Sequence, residues 1–273
     1  MRAHLAAYTD TALRHDPGWA IEVAGLRNSD TAGILNRQKG LYTLLVRDTG
    51  TTQARVVGAI LRGLAPGDIL PRMADPAIRI VSLTITEKAY GLNPSTGALD
   101  ENHPGIAADL AAPDAPRSAV GLISAGLGAR RAAGAAPFTP LSCDNLPGNG
   151  AVLRRLVLEY TVRHNPVLAE WIAANVPFPS TMVDRITPAS TADTLADAAR
   201  LHQQPGHQAP QGQARHVALG EFHLAIAVGR HRLPPARSLV GLHHHRETLV
   251  RFGLLHCGHR LSLSVRQTCI RQY

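Results

Sequence analysis

Three groups of residues in this sequence carry side chains suited to chemistry. The first is His243-His244-His245 with His256-Cys257-Gly258-His259. Imidazole and thiolate are transition-metal ligands, but this spacing matches no standard site, and the local abundance of histidine accounts for the cluster. No metal is expected. The second is a set of ten arginines between residues 199 and 273. Arginine neutralises phosphate, yet few aromatics are interleaved and no recognisable binding module is present, which argues against nucleic acid as a partner. The third is a set of polar residues beside apolar segments: Asp30, Glu87, Asn145 and Asp184. Each has an ordinary local role open to it. Asp30 can cap a helix over 31–38, Glu87 can pair with Lys88, Asn145 can close a turn after a strand, and Asp184 can pair with Arg185.

The 273 residues divide by charge. Residues 1–198 hold 16 Arg and 2 Lys against 18 Asp plus Glu, so they are neutral. Residues 199–273 hold 10 Arg against Glu221 and Glu247, no Lys, no Asp, and 10 of the 14 histidines. The formal net charge of +8 therefore belongs to the second part alone. Apolar residues make up 45 % and aromatics only 4 %, so the core must be aliphatic. The longest uncharged apolar run, Ala119 to Ala129, is too short to span a bilayer. The first ten residues carry Arg2, His4 and Asp10 without an apolar stretch, so no signal peptide is expected. Three scattered cysteines fit a reducing, cytoplasmic setting.

The elements that must position these residues alternate between strand and helix. Trp19–Gly25, Leu41–Val46, Arg55–Ile60 and Ile78–Thr86 read as strands. The near-continuous apolar start of Ile78–Thr86 places it near the centre of a mainly parallel sheet. Phe138–Cys143 reads as a further strand, although Pro140 argues against a regular central one. Ser118–Ala133, Asn149–His164 and Pro166–Asn175 read as helices. The alternation predicts an α/β fold over 1–198 with helices on both faces. From about Ala199 the texture changes. A Gln-, Pro- and Gly-rich stretch leads to two short strand-like runs, Phe222–Val228 and Leu261–Val265. Residues 199–273 are expected to form a poorly packed, irregular tail.

Three local strings are distinctive. They are Ser82-Leu83-Thr84-Ile85-Thr86-Glu87-Lys88-Ala89-Tyr90, then Leu141-Ser142-Cys143-Asp144-Asn145-Leu146 with Asn149-Gly150, then Phe178-Pro179-Ser180-Thr181-Met182-Val183-Asp184-Arg185-Ile186-Thr187-Pro188. In this order and spacing they resemble the polyol-specific long-chain dehydrogenases, the family of mannitol 2-dehydrogenase and fructuronate reductase (D-mannonate oxidoreductase). The resemblance covers roughly residues 2–200. Asn93–Asp100 with His103-Pro104 is more similar to the fructuronate reductase branch.

The resemblance implies a Rossmann-like domain, NAD as cofactor, and metal-independent hydride transfer between a polyol or sugar acid and its keto form. It implies that Asn145 donates to the reacting oxygen and that Glu87 lies near the site entrance with a role in proton traffic. It implies that Asp184 borders the substrate pocket. Asp30 would accept the adenosine ribose hydroxyls, favouring NAD over NADP. The matched strings should then meet in one cleft at strand carboxyl ends.

Two departures from that family stand out. Its opening strand and Gly-x-Gly-x-Phe-x-Arg-x-His turn are represented here only by an end-like Met1-Arg2-Ala3-His4. Its catalytic lysine, in a helical domain that should begin near Ala199, has no counterpart, because Lys39 and Lys88 are the only lysines. The change of composition near 199 resembles translation of a GC-rich gene in a shifted frame. Sequencing the gene there and finding no frame that encodes an acidic, lysine-bearing helical segment would sink that idea. Turnover close to background is expected, and a catalytically inactive remnant is the alternative to an active dehydrogenase. A basic nucleic-acid-associated protein is the weaker alternative.

Overall fold

The computed structural model describes residues 9–16, 18–26, 30–48, 51–182, 190–202 and 224–229. Its main sheet has five strands in the order β4-β1-β7-β5-β6. These are β1 (Trp19–Ala24), β4 (Ile60–Leu64), β5 (Ile78–Leu83), β6 (Thr139–Ser142) and β7 (Leu224–Gly229). β1 runs parallel to β4, and β5 runs parallel to β6. β7 is antiparallel to both β1 and β5, so the other four strands share one direction. The expected α/β sheet is present, with β5 next to its middle. A separate hairpin joins β2 (Tyr42–Asp48) to β3 (Thr51–Val57).

Helices cover both faces. They are α1 (Asp30–Arg37), α2 (Ile69–Ala74), α3 (Pro104–Ala111), α4 (Ala119–Ala132), α5 (Asn149–His164), α6 (Pro166–Asn175) and α7 (Ala192–His202). Successive strand residues face opposite sides of a sheet. Accordingly Val23 packs with Leu35, Tyr42, Val57 and Ile60, while its neighbour Ala24 packs with the larger cluster around Val81, Ile123 and Leu156. Several boundaries follow local chemistry visible in the sequence. Ser118 caps α4 by accepting the Gly121 N–H at 3.0 Å, and Asn165 caps α6 by accepting the Leu168 N–H at 3.0 Å, with Pro166 next. Pro140 is tolerated because β6 is an edge strand with a partner on one side.

Three expectations are corrected. The run Arg55–Ile60 is not one strand: Gly58-Ala59 separates β3 from β4, and β3 belongs to the hairpin. The run Ile78–Thr86 stops pairing at Leu83, because the chain turns through Thr86 at φ 73°. The irregular tail proposed for 199–273 contributes two ordered pieces. α7 crosses position 198 and ends at His202, and β7 occupies the middle of the sheet. Six uncharged residues, Leu-Ala-Ile-Ala-Val-Gly, can enter a sheet interior whatever the charge of their surroundings. Leu261–Val265 and the His-Cys cluster lie outside the described residues.

One close approach fixes the head of α1. Asn36 on α1 clasps Gly63 on β4, accepting its N–H at 2.8 Å and donating to its carbonyl at 3.0 Å. A Cβ at Gly63 would lie 2.4 Å from Ala32 Cα, so only glycine lets the helix seat this closely.

Candidate dinucleotide and substrate site

β5 and β6 end side by side, with Leu83 opposite Ser142. Pairing runs one residue further, as the Cys143 N–H donates to the Leu83 carbonyl at 2.8 Å. Two loops leave from these ends. The first passes through Thr86, whose φ of 73° and ψ of 150° is an unusual conformation for a β-branched residue. It then enters a short 3-10 turn, Glu87–Tyr90. The second runs from Cys143 to the start of α5.

Asp144 ties the two loops together. Its side chain is 4 % exposed, and its Oδ2 accepts the Ile85 N–H at 2.9 Å and the Tyr90 hydroxyl at 2.8 Å. The Tyr90 oxygen also lies 2.7 Å from Ser142 Oγ. Burial, reinforced by the charge of Asp144, raises the Tyr90 pKa above the usual phenol range. Tyr90 therefore remains a donor at any ordinary pH.

Asn149, 2 % exposed, joins the third string to the other two. Its Nδ2 donates to the Asp144 carbonyl at 3.0 Å and to the Thr181 carbonyl at 3.0 Å, and its Oδ1 accepts the Thr181 N–H at 2.9 Å. Thr181 Oγ1 donates to the Ser142 carbonyl at 2.7 Å. A Cβ on Gly150 would sit 2.5 Å from the Phe178 and Pro179 carbonyl oxygens, so glycine is what allows this strand-like segment to lie on the helix start.

The structure thus brings the first two strings and residues 178–182 of the third to one place. Glu87 and Asn145 are both exposed beside the carboxyl ends of adjacent strands. Asp30 is exposed at the head of α1, past the carboxyl end of β1. Asp184 lies outside the described residues, three positions beyond the anchored Thr181. Lys88 is exposed in the turn beside Glu87. The sequence reading missed Asp144, Tyr90 and Asn149. The only signal for them was their place within the strings, because a buried carboxylate next to an exposed carboxamide looks the same in one dimension as two exposed residues.

The consequence for stability is direct. Asp144→Ala leaves the buried Ile85 N–H without its acceptor and the Tyr90 hydroxyl with Ser142 Oγ alone. The expected cost is about 2–4 kcal/mol. Tyr90→Phe removes the hydroxyl from Asp144 and Ser142 but leaves the Ile85 N–H paired, and should cost about 1 kcal/mol. Urea denaturation of both single variants and the double variant checks this, and the costs should not add.

The sequence profile of the mannitol dehydrogenase Rossmann domain matches residues 1–208. The chain belongs to the mannitol dehydrogenase family. It is 46 % identical over 198 residues to mannitol 2-dehydrogenase of Cereibacter sphaeroides, covering 69 % of this chain and 41 % of that protein. It is 42 % identical over 207 residues to D-mannonate oxidoreductase of Escherichia coli strain K12, covering 72 % and 43 %. A solved structure, Pseudomonas fluorescens mannitol 2-dehydrogenase in ternary complex with NAD and D-mannitol, superposes with a TM-score of 0.67 at 44 % identity, covering 74 % and 42 %. The chain spans about two-fifths of the length of these relatives.

For this member of the mannitol dehydrogenase family the match ends before β7, so the strand at the middle of its sheet comes from outside the matched region. No cluster of potential metal ligands occurs among the described residues, and no described helix is long and apolar enough to cross a membrane.

Proposed function

We propose that this chain is the dinucleotide-binding part of an NAD-linked dehydrogenase. Its reaction would be hydride transfer between a polyol or hexonic acid and the corresponding keto form. D-mannonate and D-fructuronate are the favoured pair, and mannitol and fructose come next. The observation that carries the proposal is the convergence of the first two strings and residues 178–182 of the third where β5 and β6 end, on the family's fold. Support for the favoured pair comes from the Asn93–Asp100 segment. Three scattered cysteines support a cytoplasmic setting. The domain would comprise residues 1–198 completed by β7.

The residues fit the cofactor at one end. Asp30 opens the helix that follows β1, and a carboxylate in such a place accepts both ribose hydroxyls and disfavours a 2′-phosphate. At the other end they do not fit. A pyrophosphate is held by the N–H groups of a turn from the central strand into a helix, and the central strand here begins, rather than ends, at that edge. NAD, when bound, supplies or accepts the hydride.

This chain's own groups do the rest. The Asn145 carboxamide donates to the alkoxide oxygen without competing for its proton. Glu87 passes a proton between that site and solvent. Asp184 contacts substrate hydroxyls. No lysine follows Lys88 within these 273 residues, so none of them supplies the proton acceptor that the resemblance implies.

The expected outcome is twofold. NADH binds weakly, detectable by fluorescence titration. NADH-dependent reduction of fructuronate or fructose falls about 10²–10⁴-fold below that of an enzyme with its general base in place. An absence of binding at millimolar NADH would overturn the cofactor assignment. Robust turnover would overturn the claim about the missing base and would point to Lys88.

A further inference from the structure

Four strands of the main sheet point one way, and β7 lies between them pointing the other. An antiparallel member of an otherwise parallel sheet ordinarily takes an edge. β7 takes the middle instead. It pairs residue for residue with β1, from Trp19 opposite Gly229 to Ala24 opposite Leu224. It meets β5 only through a bulge: Ile78 faces Val228 and Ile80 faces Ala227, so Arg79 has no partner on β7.

Chain order shows which strand direction the middle suits. From β1 the chain steps outward to β4, and from β5 it steps outward the other way to β6. In a doubly wound sheet of that order, the strand between the two halves runs parallel to both. Every other described strand is already placed: β2 and β3 pair with each other, and β4 and β6 hold the edges. The walls of the slot are anchored without β7. Glu22 on β1 is held by Arg62 and Arg72, and Arg130 holds the Ile78 carbonyl at the start of β5. The wall residues Ile21, Val23, Ala24, Val81 and Leu83 are buried and apolar, so a charge on the occupant would be desolvated without a partner.

We propose that the slot between β1 and β5 is a strand-acceptor site. It takes an uncharged six-residue segment of a second polypeptide, running parallel to β1 and β5, in the place that β7 holds. Recognition is by backbone pairing on both sides, the mode in which an extended peptide completes a sheet. β7 and the incoming segment exclude each other, and by linkage each weakens the other equally. This site stands apart from the dinucleotide reading and needs no cofactor.

Two synthetic peptides of one composition test it. Lys-Gly-Val-Ala-Ile-Ala-Leu-Lys carries the β7 sequence reversed, so in the parallel direction it sets against each β1 residue the residue type that β7 sets there. Lys-Leu-Ala-Ile-Ala-Val-Gly-Lys carries it in the β7 order. Directly opposed antiparallel residues lie about 4.5–5.5 Å apart between Cα atoms, within disulfide range, so Val23→Cys with Ala225→Cys locks β7 in place. The lock goes into the full chain with Cys257→Ser and Cys269→Ser; Cys143 is buried. Fluorescein-labelled peptide is titrated by anisotropy to about 1 mM, the effective concentration that a tethered competitor presents.

The reversed peptide is expected to bind the reduced protein about tenfold or more tightly than the β7-order peptide does, and oxidising the lock should weaken it by about tenfold or more. Equal binding to oxidised and reduced protein would place the peptide on the outer edge of β4 or β6 and overturn the site. Equal or tighter binding of the β7-order peptide overturns the parallel direction and the proposal with it. Absence of binding by the reversed peptide to the reduced protein overturns it outright. Failure of the disulfide to form overturns the register on which the slot rests.

Discussion

Arg130→Ala is expected to leave the chain without a stable fold. Arg130 lies on α4 and is 1 % exposed. Its guanidinium donates to four backbone carbonyls: Met73 at 2.8 Å, Ile78 at 2.7 Å, Ala136 at 2.9 Å, and Asp75. These carbonyls belong to the end of α2, the start of β5 and the approach to β6. One side chain thus joins the helical layer to the two strands whose ends form the site. The guanidinium also lies over the Phe138 ring, 5.8 Å from its centroid. Burial lowers its pKa somewhat, yet no common condition removes its charge.

Alanine would take this donor from the Met73, Ile78 and Ala136 carbonyls and leave a cavity behind, while the Asp75 carbonyl keeps the Ile78 N–H. Each orphaned group costs about 1–3 kcal/mol, so the total is about 4 kcal/mol or more, comparable with the whole stability of many domains. Arg130→Lys keeps the charge but has three donors on a point rather than five on a plane. It should fold with reduced stability. Far-ultraviolet circular dichroism and urea titration distinguish these outcomes. An alanine variant within 1 kcal/mol of the parent would show that water replaces the guanidinium without loss.

The second large effect is expected from Ile226→Pro. Ile226 pairs with Glu22 on β1 and with Val81 on β5, in the interior of the sheet. Proline removes a ladder donor there, and its ring is not accommodated in a central strand, at a cost of about 3 kcal/mol or more. Without β7 the described sheet falls into two pairs, β4-β1 and β5-β6, with facing edges bare. Hydrogen exchange should therefore accelerate about 100-fold or more at the β1 and β5 amides, while α5 and α6 respond less. Unchanged protection at β1 and β5 would mean that 224–229 is not their partner in solution.

The amino-acid sequence by itself determined the local elements and the identity of the strings. Asn149–His164 is a helix because its apolar residues recur at helical spacing, and it forms over those residues. Ser118 and Asn165 set helix starts through bonds that span three residues, and Pro166 suits the first turn by its fixed φ. Such interactions are short-range, so one dimension contains them. The strings that carry the family resemblance are likewise contiguous, and so Glu87 and Asn145 were legible as candidates.

Tertiary structure decided what depends on contacts across long separations. Glu22 sits inside an apolar run, and its burial at 1 % exposure rests on Arg62 and Arg72, 40 and 50 residues away. The carboxylate of Asp144 is spent on Ile85 and Tyr90, 59 and 54 residues away. The place of β7 was the least legible of all. Charge and composition assign 224–229 to a basic tail, and the pattern of six small and branched apolar residues announces a strand without a partner. Backbone hydrogen bonding carries no residue label, so any uncharged strand of the right length satisfies the gap between β1 and β5. Only the assembled sheet shows that the gap exists, and the direction in which β7 fills it decides that Leu224 meets the carboxyl ends of β1 and β5.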